Sequence, residues 1–157
     1  MNISVSISDR LKTQHLTLPT IISGLSNDEL DDHPVPDKWS IRDNIAHLAR
    51  YQLVFVERIH TILTVHEPVF EAYRAEKDPE FDRWLKKGTN QLMDELNADR
   101  INLIGLVSKL NKNELRRTGA HAKFGKLTAL EWTECFLLHE AHHLFTIFRL
   151  AHHPGKK

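Results

Sequence analysis

The stretch TALEWTECFLLHEAHHLFTIFRLAH, residues 128–152, decides the fold class that the sequence predicts. Its apolar residues recur at intervals of three and four, which is the spacing of one face of an α-helix. Thr128, followed three residues later by Glu131, forms a capping box and predicts that the helix begins here. We therefore predict a helix from Thr128 to about His152 with one long buried face.

Three further segments carry helical periodicity, and polar connections separate them. We predict a first helix from about Ser8 to Leu25, with a bend at Pro19. A second helix is predicted from Ser40, which forms a capping box with Asp43, to about His66. A third is predicted from Asp78 to Leu110, with Pro79 in its first turn and Gly88 and Gly105 as weak points. Residues 26–38, with at most one short turn, and 116–126 are predicted to be loops, and strand signals are scarce. The pattern predicts an all-α four-helix bundle, a single domain over residues 1–157.

Composition excludes several classes of function. Lys plus Arg and Asp plus Glu are both 21, so no net charge draws the chain to nucleic acid or to an anionic membrane. No apolar run has membrane-spanning length, and the N-terminal residues lack the pattern of a secretory signal. A single cysteine, Cys135, cannot form an internal disulfide. We expect a cytoplasmic protein that acts on small molecules.

Histidine is the unusual feature of the composition, with eleven copies. His139 and His143 lie four residues apart in the apolar stripe of the last helix, a spacing that lets two imidazoles reach one metal ion. A third ligand is needed, and His47 on the second helix is the best candidate. The alternative is that these are core histidines bonded to backbone carbonyls, without metal.

Other residues near this pair are weaker candidates for the site. Cys135, one turn before His139, could supply a thiolate, and Glu140 is a candidate general base. His142 points about 100° away from His143 around the helix and is expected to be exposed or to support the ligands from outside. His60 and His66 lie too far along the second helix to complete the site.

Two stretches resemble a known family. PDKWSIRDNIAHL, residues 36–48, and KFGKLTALEWTECFLLHEAHHLFTI, residues 123–147, resemble the Trp-Ser motif, the Phe-Gly turn and the His-x-x-x-His pair of the DinB-like superfamily. The resemblance implies a four-helix bundle of the DinB/YfiT-like type with metal ligands at His47, His139 and His143. It also implies that Trp39 is a packing residue.

The resemblance further implies a metal-dependent enzyme that uses zinc or nickel, either for transfer of a low-molecular-weight thiol of the bacillithiol type or for hydrolysis of a small substrate. Asn44 and Tyr51, about one turn either side of His47, are expected to orient it or to touch substrate. The alternative is a non-enzymatic, stress-related binding module whose metal is structural or vestigial. Family members are often dimeric, and Leu130, Leu137 and Leu144 are expected to lean outward, either to bury surface against a second copy or to pack on the first and third helices.

Overall fold

The computed structural model describes residues 3–153, which are mostly helical. In chain order the helices are α1 (Val5–Thr13), α2 (Leu18–Ile21), α3 (Asn27–Asp31), α4 (Ile41–Thr64), α5 (Phe81–Leu85), α6 (Thr89–Ser108), α7 (Lys112–Arg116) and α8 (Ala129–Ala151). Two 3₁₀ turns, Gln14–Thr17 and Ala75–Lys77, lie between them. The bundle consists of α4, α6, α8 and the broken α1–α2 segment, which confirms the predicted four-helix architecture.

The starts of α4 and α8 are confirmed because local hydrogen bonds fix them. The Ser40 Oγ accepts from the Asp43 backbone N–H at 3.0 Å, and the Asp43 carboxylate accepts from the Ser40 N–H at 3.0 Å. Thr128 and Glu131 make the same pair of bonds at the head of α8. Both helices end one or two residues before the predicted positions.

The predicted third helix is wrong in its first half. Asp78 and Pro79 lie outside any helix, because the Asp78 carboxylate accepts hydrogen bonds from Arg50, Tyr73 and the Glu80 backbone N–H. The chain then forms the short α5 and breaks before Gly88, an extended residue that caps the start of α6. The predicted weak point at Gly88 is therefore a full interruption.

The first predicted helix also differs from the structure. It begins at Val5, before the predicted Ser8, and the 3₁₀ turn Gln14–Thr17 interrupts it, whereas Pro19 fits into the first turn of α2. In this position the missing N–H of proline costs no helical hydrogen bond. The turn places the buried His15 within 3.2 Å of Arg100 in α6.

The loop predicted over residues 116–126 is wrong, since most of it is a β-hairpin. Strand β1 (Val69–Phe70) pairs in parallel with β2 (Thr118–His121), which pairs antiparallel with β3 (Gly125–Thr128). Gly125 has a φ of +71°, which the tight connection requires and glycine adopts without strain. The sheet packs on the bundle through Trp132, whose indole N–H donates to the Gly119 carbonyl at 3.1 Å.

The predicted dimer surface is corrected by the packing of α8. Leu137 is fully buried and Leu144 is 7% exposed, so both belong to the core of the protomer. The large apolar side chains that α8 does expose are those of Leu138, Phe145 and Phe148. A homodimer stays a prediction. Within residues 3–153, no helix combines the length and the apolar character needed to cross a bilayer.

Candidate metal centre

The structure brings together the three histidines predicted as ligands. His47 comes from α4, and His139 and His143 come from successive turns of α8. One ring nitrogen of each lies within 4.8 Å of the others, and the Nε2 atoms of His47 and His139 are 3.1 Å apart. Two nitrogens bound tetrahedrally to one zinc ion lie about 3.4 Å apart, so this separation is close to that of a metal site.

Burial keeps the three imidazoles neutral. His47 is 5% exposed, and His139 and His143 are partly buried. Desolvation, together with repulsion from neighbouring histidines, lowers the pKa of His47 to about 2, that of His139 to about 3 and that of His143 to about 4. At neutral pH each ring therefore has a nitrogen lone pair, which is the form that binds metal.

Asn44 determines which nitrogen of His143 faces the cluster. Its Nδ2 donates to the Ser40 carbonyl at 2.8 Å, so its Oδ1 accepts from His143 Nδ1 at 2.8 Å. Because a neutral imidazole has one N–H, the Nε2 of His143 has its lone pair free. Asn44 was predicted to orient His47 or to touch substrate; the structure shows that it orients His143, and its contact with substrate stays a prediction.

The donor set of the cluster fits a divalent ion. The contact between the Nε2 atoms of His47 and His139 can hold one N–H, which satisfies one nitrogen lone pair. Without an ion, at least one other nitrogen of the cluster therefore stays unsatisfied. A divalent ion accepts all three lone pairs, and three neutral imidazoles are a common ligand set for zinc. The three histidines could therefore bind a metal ion. Nδ1 of His47 and of His139 is buried without a protein partner in the described part of the chain.

Aromatic side chains enclose the cluster. The ring of Trp39, at the head of α4, lies 4.8 Å from that of His47, and the ring of Tyr51 lies 4.1 Å from that of His139. Tyr73 and Phe81 also border His47, at 5.7 and 6.2 Å between ring centres. The sequence did not place these two residues at the site, because Tyr73 lies in the connection between α4 and α5 and Phe81 was assigned to the buried face of the helix predicted from Asp78.

Two residues of α8 that were candidates for the site, Glu140 and Cys135, do not belong to the histidine cluster. Glu140 is 1% exposed and forms an ion pair with Arg100, so it is not available as a general base. Cys135 is outside the group of potential ligands, and burial raises the pKa of its thiol. His142, as predicted, is exposed, and its ring packs edge-on against His143 at 5.2 Å.

Two open clefts reach the cluster from opposite sides. One, of about 1060 Å³, is lined by Trp39, Asn44 and His143. The other, of about 720 Å³, is lined by His47, Tyr51 and His139 and extends to the β-hairpin. A small molecule can therefore approach the histidines directly.

Residues 10–147 match the family model of the DinB superfamily. The chain belongs to the DinB superfamily. The uncharacterised protein YuaE of Bacillus subtilis strain 168 is 24% identical to this DinB-superfamily chain over 136 residues, which cover 78% of this chain and 83% of YuaE.

Among solved structures, YfiT of Bacillus subtilis superposes with a TM-score of 0.80 over 97% of this chain and 87% of its own. YfiT is described as a probable metal-dependent hydrolase with an unusual four-helix bundle topology. The identity is 16%, so this likeness establishes the shared fold of the two DinB-type bundles.

Proposed function

We propose that this DinB-superfamily protein is a metal-dependent enzyme that activates a water molecule or a low-molecular-weight thiol for attack on a small substrate. The observation that carries the proposal is the convergence of three neutral, buried imidazoles at a point that two clefts reach. A group of this kind binds a metal and leaves one side of it open to substrate.

His47, His139 and His143 would hold the ion, with zinc or nickel as the proposed metals. A bound divalent ion would supply Lewis acidity, which lowers the pKa of a water or thiol toward neutrality. The three ligands are uncharged, so they leave the full charge of the ion available to a nucleophile. Asn44 holds the His143 ring in place, and the rings of Trp39 and Tyr51 pack against those of His47 and His139.

Hydrolysis is supported by the likeness to YfiT, itself described as a probable metal-dependent hydrolase. Thiol transfer is the other proposed reaction, and it does not depend on three acidic side chains that ion pairs already engage. Glu140 pairs with Arg100, Glu134 with Arg10, and Asp78 with Arg50. Hydrolysis of an amide or ester needs a group that returns a proton to the leaving atom, whereas a thiolate can displace a good leaving group without such help.

Tyr73 does not provide that proton relay. Its hydroxyl donates to Asp78 at 2.9 Å, and burial together with this hydrogen bond raises the pKa of Tyr73 well above its ordinary value. Tyr73 therefore stays protonated and serves as a wall residue beside His47.

The test is an activity screen of wild-type protein in three forms: chelator-treated, zinc-loaded and nickel-loaded. One assay follows conjugation of bacillithiol to a chlorinated electrophile, and a second follows hydrolysis of small esters and amides. We expect turnover in one assay that needs the metal and is lost in His47→Ala. His60→Ala is the matched control, since His60 is an exposed histidine of the same helix, and it should keep full activity.

The non-enzymatic alternative predicts a different result. A structural ion would raise the melting temperature of wild-type protein, whereas neither assay would show turnover in any metal form. Turnover that persists unchanged in chelator-treated protein or in His47→Ala would contradict both the enzymatic and the structural role of the metal.

A further inference from the structure

Arg58 is a buried cation in the second cleft, two turns beyond Tyr51 on α4. The residue is 8% exposed, and its guanidinium lies between two aromatic rings, 5.5 Å from the centre of Phe70 and 5.4 Å from that of Trp132. Its Nη2 donates to the Glu71 carbonyl at 2.8 Å. These contacts hold the side chain in one position but use few of the five N–H donors of a guanidinium.

Arg58 differs from the partly buried Arg50 and the buried Arg100, because no carboxylate pairs with it. Arg50 pairs with Asp78 and Arg100 with Glu140, whereas Arg58 takes part in none of the ion pairs that the structure defines between side chains of residues 3–153. A buried charge without a counter-ion is costly, and such groups are kept where a ligand supplies the opposite charge.

The acidic residues that line the same cleft do not fill this role. Glu131 accepts the capping bonds of Thr128 at the start of α8, and Glu134 pairs with Arg10 of α1 at 2.6 Å. Neither carboxylate forms an ion pair with the Arg58 guanidinium. The cleft retains one buried positive charge.

The cleft connects this charge to the histidine cluster. Arg58, His47 and His139 all line this cleft, and so does Tyr51, which lies between His47 and Arg58 along α4. Eleven residues separate His47 from Arg58, about 16 Å along the helix axis, and the arginine side chain leans toward the helix N-terminus, which brings its guanidinium closer to the histidines. Apolar side chains, among them those of Leu127 and Leu138, line the space between.

We propose that Arg58 is a specificity-determining residue that binds the carboxylate of a small substrate whose apolar body fills the cleft and whose reacting group lies at the histidine cluster. This inference rests on the proposed function for the reacting group, and it assigns the substrate class: a monoanionic carboxylic acid of extended shape. One guanidinium matches one carboxylate in charge and in hydrogen-bond geometry.

The test compares a carboxylate with its uncharged isostere, 4-phenylbutyrate and 4-phenylbutyramide, by titration calorimetry. Metal-free wild-type protein is used first, so that binding cannot come from a carboxylate–metal bond. A charge-assisted hydrogen bond in a buried site is worth roughly 1.5–3 kcal/mol, so we expect 4-phenylbutyrate to bind roughly tenfold or more tightly than the amide. Arg58→Met should remove this preference, and Lys123→Met, which removes an exposed cation from the same cleft, should keep it.

If Arg58→Met does not fold, the wild-type protein still tests the proposal by NMR. The indole N–H signal of Trp132, assigned with Trp132→Phe, should shift with the carboxylate and much less with the amide, because this ring packs on Arg58. Equal affinities for the two probes, a preference that survives in folded Arg58→Met, or a preference that appears only after metal loading would each overturn the proposal. A carboxylate preference in a protein that binds no metal would support Arg58 while sinking the proposed enzymatic function.

Discussion

The histidine cluster and the buried pair of Arg100 and Glu140 lie in the same bundle, yet their polar atoms are satisfied to different degrees. Arg100 donates to Glu140, to the side chain of Gln52 and to the Leu11 carbonyl, and Gln14 donates to Glu140 at 2.8 Å. These contacts join α1, the following 3₁₀ turn, α4, α6 and α8. The charges are paired and hydrogen-bonded throughout, as a structural network requires.

The histidine cluster has the opposite character. Within residues 3–153, only His143 has a side-chain hydrogen-bond partner from outside the cluster, and one nitrogen of each ring lies close to those of the other two. His139 and Glu140 are neighbours in sequence but point about 100° apart around α8, so one helix serves both groups. The comparison shows that two groups of polar residues inside one bundle can have separate roles. What distinguishes the groups is whether their polar atoms already have hydrogen-bond partners.

The largest expected effect is on the structural network. Glu140→Leu should lower the free energy of unfolding by about 3–5 kcal/mol, because it leaves the buried Arg100 charge unpaired. Urea denaturation of the metal-free protein measures this. The double variant Arg100→Met/Glu140→Leu is the control and should regain much of the loss, since it removes both charges. A cost below about 1 kcal/mol for the single variant would show that the network does not stabilise the bundle.

A smaller effect is expected at the support of the histidine cluster. Asn44→Ala should weaken zinc binding about 10- to 100-fold, because His143 loses the hydrogen bond that fixes its ring. Competition with a chromogenic chelator measures the affinity. Thr133→Val removes another buried hydroxyl of α8, one that bonds only the Ala129 carbonyl, and should leave zinc affinity unchanged. Equal affinities in wild type and Asn44→Ala would argue against this role.

The smallest expected effect is the acid dependence of the metal-free protein. The folded-state pKa values of His47, His139 and His143 lie below the unfolded value of about 6.5, so the unfolded chain binds more protons as pH falls. The stability that each of these histidines contributes is present above about pH 6.5 and is lost as the pH falls below about 6.5.

The pH series is read by comparison with a variant. His15 of the structural network, whose pKa burial lowers to about 4, contributes in the same direction, so wild type alone does not separate the two groups. His143→Ala should show a shallower loss of stability with acid than wild type, by one proton. Identical slopes in urea melts from pH 7 to pH 4.5 would mean that His143 is not buried in its neutral form.

The sequence predicted those parts of the site that lie within one continuous helix. His139 and His143 lie on one helix, so their spacing alone indicated a pair, whereas His47 belongs to a separate helix and was the best candidate among several until the family resemblance supported it. The link from Asn44 to His143 spans 99 positions and carries no pattern in either helix. Periodicity could not reveal it.

The errors in the fold have the same physical origin. The strands of the hairpin are four residues long, too short for alternation to be distinguished from a polar loop. The start of helix at Phe81 instead of Asp78 depends on tertiary bonds of Asp78 to Arg50 and Tyr73, which periodicity along residues 78–110 does not contain. Glu140 was misjudged because its partner, Arg100, lies on another helix.

Metal content is the most direct measurement of the central claim. Untagged wild type, His139→Ala, His143→Ala and the control His142→Ala would be incubated with zinc or nickel, freed of excess ion and measured by elemental analysis. The account predicts about one ion per chain in wild type and in His142→Ala, and a loss of the ion in the other two variants. Wild type without bound metal, or an ion that remains in both His139→Ala and His143→Ala, would contradict it.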